Sequence, residues 1–337
     1  MKRSLNHTLI ETTIRNVIKQ IKDDPERNIR NAIDMALTFS RGRFQQHFLK
    51  SAQTMLQDPT SCYYKLVPDL INNVDTERIV SFGMNIGYNS CTIGARKIRD
   101  IESLSDFNIP WSLFLELSGD DYQKNSHPIH SLISQGRDLG IYTWLIYSLD
   151  SLCYFLELAR SFPECTFTFF CNAEEITPSL LDEANDIYNI MFVLKYDDDI
   201  EAACALLRSR KFLYSISYYY DEKDIKKIIN DELLIETENL YSVFTLLYSK
   251  PTSFKEVSSA YQHVLHTRAA QKYKTIPFDI IYDNYWIDSI ISDQPCSLFF
   301  TRSGTCYSLT DQILYENYNY FTNTLFDILK KVSPQKK

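Results

Sequence analysis

IPWSLFLELSGDDYQKNSHPIHSLISQGRDLGIYTWLIY (109–147) reads as strand, helix, strand. The runs 111–117 (WSLFLEL) and 141–147 (IYTWLIY) are short, apolar and aromatic-rich. Neither alternates cleanly between apolar and polar residues, which is the pattern of strands covered on both faces of a parallel sheet. Between them, 127–139 carries helical spacing. Gly136 and Gly140 punctuate the return to strand, as C-terminal cap glycines do. The same alternation repeats downstream. Strands are expected at 166–171 (TFTFFC), 190–195 (IMFVLK), 212–218 (FLYSISY) and 241–248 (YSVFTLLY). Helices are expected at 151–162, 177–187, 198–209, 222–230 and 253–271. Thr177-Pro178 opens one of them in the favoured cap-then-proline order. Six strand–helix units in a row predict an α/β fold with right-handed crossovers. Six units fall short of the eight in a closed barrel. The expected architecture is a partial (β/α)6 TIM-like barrel over 109–272.

Upstream, 1–108 reads as helical. TLIETTIRNVIKQI (8–21) has helical spacing and is ended by Asp23, Asp24 and Pro25. Further helices are expected from Ile29 to Phe39, from Phe44 to Leu56 and over 63–73. A long fifth, capped by Asp75 or Thr76, contains SFGMNIGYNSCTIG (81–94). Gly83 and Gly87 share a face there, which predicts close helix packing. No strand precedes them and no lysine follows, so a phosphate loop is not indicated. Downstream, 273–337 reads as a small extension. It has strands around Phe278–Ile281 and Ser297–Thr301, a final helix over 310–332 and a basic tail.

Composition narrows the function. The chain has 337 residues, a formal charge of −8 and only 8 glycines. That charge disfavours nucleic acid as a partner. No run approaches eighteen apolar residues and the N-terminus has no apolar signal core. A cytoplasmic protein with no membrane partner is therefore expected. The eight cysteines are scattered without CxxC or CxxxCxxC, so buried thiols are expected.

Barrel chemistry sits at the C-terminal ends of strands. The candidates there are Glu116, Asp120 and Asp121 after the first strand, and Ser148 and Asp150 after the second. Asn172 follows the third strand, Asp197 to Asp199 the fourth, and Tyr218 to Tyr220 the fifth. Helix N-capping is the preferred explanation of the aspartates. Together the acidic groups suit a cationic or amine-bearing ligand, and tyrosine suits peptide contact. His127 and His130, like His263 and His266, are three apart and share a helix face. Such a pair is a candidate for metal binding.

The text around these residues resembles the radical S-adenosylmethionine (radical SAM) superfamily. Ile109-Pro110-Trp111 resembles that family's entry into its first strand. SQGRDLGIYTWLIY (134–147) resembles the second unit and FPECTFTFFCNAEEIT (162–177) the third. The likeness runs from about residue 10 to 315. It implies the partial barrel, and also a CxxxCxxC loop after the first strand that holds a [4Fe–4S] cluster and presents S-adenosylmethionine to it. Here that loop reads LSGDDYQKNSHPIHSL (117–132), with no cysteine. The glycine-rich motif expected after the second strand reads Tyr147-Ser148-Leu149-Asp150-Ser151. Cys153, Cys165 and Cys171 are the nearest other thiols. Cys296 and Cys306 flank a short hairpin that resembles a reduced auxiliary-cluster extension.

The resemblance with these departures implies a catalytically inactive relative without a cluster. It would act as a binding or accessory protein in peptide or metabolite maturation. Its partner would be a peptide, a small molecule or an active homologue, and S-adenosylmethionine binding without cleavage stays open. The alternative is an enzyme of different, non-radical chemistry at the barrel mouth. It would use Asp120, Asp121 and Asp150 and be metal-dependent through His127 and His130.

Overall fold

The computed structural model describes residues 5–21, 23–40, 42–197, 199–249 and 258–335. Asp198 and the start of the 253–271 helix candidate lie outside them, as do Lys336 and Lys337 of the basic tail. The N-terminal region forms α1 (Leu5–Ile21), α2 (Pro25–Phe39), α3 (Arg43–Met55), α4 (Tyr63–Asn73) and α5 (Thr76–Met84). A ten-residue π-helix (Asn85–Gly94) then leads into α6 (Ala95–Glu102). The boundaries follow local chemistry. The Asp24 side chain accepts the Arg27 amide ahead of Pro25, and Asp75 accepts the Glu77 and Arg78 amides.

The barrel then runs β1 (Ser112–Leu117), α7 (Gly119–Leu139), β2 (Thr143–Ser148), α8 (Leu156–Ser161), β3 (Thr166–Cys171) and α9 (Pro178–Glu183). It continues with β4 (Ile190–Lys195), α10 (Ile200–Ser209), β5 (Tyr214–Tyr219), α11 (Ile225–Ile229), α12 (Glu232–Asn239), β6 (Phe244–Tyr248) and α13 (Ser259–Ala270). Last come β7 (Ile276–Asp279), α14 (Ile280–Ile291), β8 (Leu298–Phe300), β9 (Thr305–Ser308), β10 (Ile313–Asn319) and α15 (Leu325–Val332). All the strands form one open sheet in the order β10-β9-β8-β1-β2-β3-β4-β5-β6-β7. β1 to β7 run parallel, each paired with the next. The six expected strands are all present. The run expected at Phe278–Ile281 is strand only as far as Asp279: β7 is a seventh parallel strand beside β6, and Ile280 opens α14. The run at Ser297–Thr301 supplies β8, parallel to β1 on its other side.

Side-chain alternation divides the sheet into two faces. Leu113, Leu115, Leu117, Trp144, Ile146, Phe167, Phe169, Phe192 and Leu194 point outward into the main core with the helices. Phe114, Phe170, Met191, Val193 and Leu246 point to the concave face. The N-terminal helices close the bottom of that concavity. Arg78 donates to the carbonyls of Ala184, Asn185 and Ile187, just before β4. Asn85 donates to Pro163 and Cys165, before β3, at 2.9 Å each. The Asp75 amide meets Lys211, before β5, and the Cys62 amide meets Gln271, before β7. The strands' C-terminal ends are left as the open side.

Two expectations change. The span 310–332 is not one helix: 313–319 forms β10, and only 325–332 is helical. Apolar and aromatic residues there mimic helical spacing, but Gln312 adopts a left-handed φ of 59° and breaks the run. Gly83 and Gly87 are not packing glycines, because a Cβ at either would meet nothing within 4 Å. The close approach is at Gly94, where a Cβ would strike the Gly140 carbonyl. Gly140 itself has φ +104° and caps α7, as expected.

Candidate functional site

β1 passes into α7 with almost no loop. Ser118 is the N-cap, its hydroxyl accepting the Asp121 amide, and the helix begins at Gly119. The Gly119 amide donates to Asp150 Oδ1 at 2.6 Å. A Cβ on Gly119 would lie 2.5 Å from Ser151 Cβ and 2.8 Å from Tyr154 Cδ2. The turn after β1 is thus pressed against the turn after β2, where Ser151 takes a left-handed φ of 52°.

Glu116, two residues on from Phe114, shares its concave face. Its Oε2 accepts the backbone amide of Arg302 at 3.0 Å. The Arg302 guanidinium turns to the Asp121 carboxylate, which also accepts from Ser118. The ion pair to Arg302 holds the Asp121 carboxyl below its usual range. Glu116, Asp121 and Arg302 line a shallow cleft of about 520 Å³ with Asn125, Thr301, Ser303 and Phe321. Asp120 and Asp150 are exposed beside it.

Glu175 joins the ends of β2 and β3. Its carboxylate accepts the Leu152 amide at 3.0 Å, the Ser148 hydroxyl at 3.1 Å and the Asn172 amide at 3.3 Å. Burial raises its pKa against those bonds. Asn172 completes a capping box with it. Sequence reasoning missed Glu175, although Asn172-Ala173-Glu174-Glu175 carries the N-x-x-E signature. Ser148 and Asn172 therefore serve this carboxylate, and the Asp197 side chain accepts the Asp199 amide at 3.2 Å.

The tyrosine expectation is corrected by one residue. Tyr218 shares the outward parity of Tyr214 and Ile216, and its hydroxyl donates to Asp224 at 3.0 Å. Burial pushes it up to about 12. Tyr220 lies beyond the strand end, buried, and donates to Asp279 at 3.0 Å. Tyr219 is the one that faces the concavity. It stands edge-on to Tyr248 at 5.4 Å between ring centres, and Tyr248 stands edge-on to Tyr147 at 6.3 Å. Tyr147 stacks on Phe170 at 4.4 Å, with Phe299 at 6.1 Å. β2, β3, β5, β6 and β8 thereby furnish one aromatic wall at the mouth.

The histidines do not enter the mouth. His130 Nε2 lies 2.9 Å from the Tyr122 hydroxyl and its ring packs on Phe162. Burial lowers its pKa. His127 is exposed on the same helix. Among the described residues no three His, Cys, Asp or Glu side chains group to hold a metal ion. Cys165, Cys171, Cys296 and Cys306 are buried and Cys153 is exposed. Burial raises the four buried thiols.

An open parallel α/β barrel with a helical floor and polar and aromatic groups at its C-terminal rim is the radical SAM-like fold. The structure matches SuiB of Streptococcus suis. One SuiB crystal structure superposes with a TM-score of 0.50 at 12% identity, over 69% of this chain and 68% of that one. SuiB bound to S-adenosylmethionine gives 0.49 at 12% identity, over 69% and 66%. SuiB bound to its precursor peptide SuiA gives 0.49 at 11%, over 69% and 67%. This chain thus spans about two thirds of SuiB's length. No family model and no curated protein matches the sequence. Among the described residues no helix is long and apolar enough to cross a membrane.

The fold family implies an iron–sulfur cluster at the turn after the first strand. The residues there do not fit one. Leu117 to Tyr122 offer no thiol, and the glycine at the turn has no room for even a methyl group.

Proposed function

We propose that this chain is a radical SAM-like protein that has given up radical chemistry and binds a peptide at the mouth of its barrel. The carrying observation is the junction of β1 and α7. Three thiolates must converge to hold a cluster, and here Ser118 and Gly119 pass straight into a helix clamped by Asp150. Reductive cleavage of a sulfonium needs a low-potential electron donor that side chains cannot supply. What the mouth retains is a binding surface. The aromatic wall of Tyr147, Tyr219 and Tyr248 offers apolar area with polar tips. The carboxylates of Glu116, Asp120 and Asp150 add negative charge at its rim. SuiB has been crystallised both with its precursor peptide and with S-adenosylmethionine; it is the tyrosines of the wall that favour a peptide as the ligand class here.

Anaerobic reconstitution with iron and sulfide tests the first half. The expected product is colourless and iron-free, and a brown protein with about four irons per chain overturns the reading. Calorimetric titration with S-adenosylmethionine then asks whether the cofactor is still bound without cleavage. Heat that survives in Tyr147→Ala and Tyr219→Ala would place that cofactor away from the aromatic wall.

A further inference from the structure

β10 is the outer edge of the sheet and pairs with β9 alone among the described residues. The hydrogen-bond pattern fixes which of its backbone groups are spent. The Thr301 amide donates to Thr305, and the Leu309 amide to Ser297. Phe299 and Tyr307 lie between these pairs at the same parity, so Tyr307 directs its N–H and C=O to β8. Its neighbours Cys306 and Ser308 direct theirs to β10, opposite Tyr315 and Ile313. Leu314, opposite Tyr307, therefore turns its N–H and C=O out from the sheet. The side chains of Ile313 and Leu314 are 47% and 48% exposed, on opposite faces of the same edge. The pairing register slips between Tyr315 and Asn319, so the straight run is short. Asp311, whose carboxylate also accepts the Ser308 hydroxyl at 3.3 Å, and Glu316 flank it, both exposed.

The slip and the flanking charges restrict pairing here to the outward N–H and C=O of Leu314, which a further strand could still meet. We propose that β10 is a docking edge for an extended basic peptide segment, which adds antiparallel or parallel to Leu314. Its apolar residues would lie over Leu314 and Tyr307 on one face and over Ile313 and Tyr315 on the other. Lysine or arginine at its ends would meet Asp311 and Glu316. Charge decides against a second copy of this chain. Two copies would set four of these carboxylates along one seam, and each chain carries −8 overall. The site is separate from the barrel mouth and does not depend on what the mouth binds.

Fluorescence anisotropy with labelled Lys-Lys-Thr-Val-Thr-Val-Thr-Lys-Lys tests this, with the same peptide carrying Glu in place of every Lys as the comparison. Saturable binding is expected, weaker by about tenfold or more for the acidic peptide. Leu314→Pro, which removes the outward N–H, should lose binding by a similar factor. Leu314→Asp should do the same with the backbone intact, which covers the case where the proline variant fails to fold. Ile235→Ala, exposed on α12 at the other end of the sheet, should leave the affinity unchanged. The proposal is overturned by equal binding of the two peptides, by no binding, or by binding that Leu314→Asp leaves intact. It is equally overturned if sedimentation finds a dimer that Leu314→Asp dissolves, because a second copy would then hold the edge.

Discussion

The Gly119 amide donates to the Asp150 carboxylate at 2.6 Å, and that bond ties the turn after β1 to the turn after β2. Both turns lie at the C-terminal ends of the adjacent parallel strands β1 and β2. The consequence is steric as well as chemical, since Ser151 and Tyr154 crowd the α-carbon of Gly119.

Gly119→Ala therefore overpacks a rigid contact and should cost about 1–3 kcal/mol in urea denaturation. The Cβ meets a Cβ and a ring carbon, not the tip of a flexible chain. Ser118→Ala should cost about 1 kcal/mol through loss of the cap. A Gly119→Ala protein as stable as the parent would show that the two turns are not clamped.

Arg78 holds the helical floor to the barrel. It is 2% exposed, donates to three carbonyls ahead of β4 and lies 3.6 Å over the Phe212 ring. Arg78→Ala takes this donor from the Asn185 and Ile187 carbonyls, while Ala184 keeps the Ile187 amide, and should cost about 3–5 kcal/mol. Arg78→Lys should recover less than half of that loss, since one ammonium cannot span the fork of contacts. Full rescue by lysine would count against the geometry.

Much of this fold was legible because buried parallel strands read as short apolar runs, and β1 to β6 fall within a few residues of them. The caps at Thr177 and Gly140 were legible for the same local reason. Facing was harder. In Tyr218-Tyr219-Tyr220 composition is uniform, so only the strand's parity, set by Tyr214 and Ile216 in the core, decides which ring reaches the mouth. Glu175 was missed because its partners, Leu152 and Ser148, arrive from another unit of the barrel. Arg302 is likewise distant in sequence from Glu116 and Asp121. β10 was misread because edge strands lack the burial that gives strands their pattern.

Tyr147 and Tyr219 should separate stability from binding. Tyr147 stacks on Phe170 within the concave cluster, and Tyr147→Ala should cost about 3 kcal/mol. Tyr219 is 50% exposed at the rim, so Tyr219→Ala should cost less than about 1 kcal/mol. If the mouth binds a peptide, Tyr219→Ala should weaken that binding at unchanged thermal midpoint. Equal destabilisation by the two substitutions would mean that Tyr219 is a packing residue.

Asp288 gives a pH dependence of defined sign. It is fully buried and accepts the Trp111 amide at 2.9 Å, the Cys296 amide at 3.3 Å and the Ser297 hydroxyl at 2.6 Å. Burial outweighs those bonds and lifts its pKa from 3.8 to about 7, with the neighbouring Glu102 pushing the same way. A carboxyl whose folded pKa is raised binds its proton more tightly in the folded state. Its contribution is therefore complete below about pH 4 and is lost as pH rises through about 7. Asp279 is lifted to about 7 by burial as well, so the parent's total pH profile mixes the two. The difference between parent and Asp288→Asn isolates the one group. Asparagine cannot ionise, so its own cost is the same at every pH. The parent's advantage over the variant should shrink between pH 4 and 7, by up to about 1.4 kcal/mol per unit. A gap that widens with pH would show instead that the three donors, not burial, govern this carboxyl.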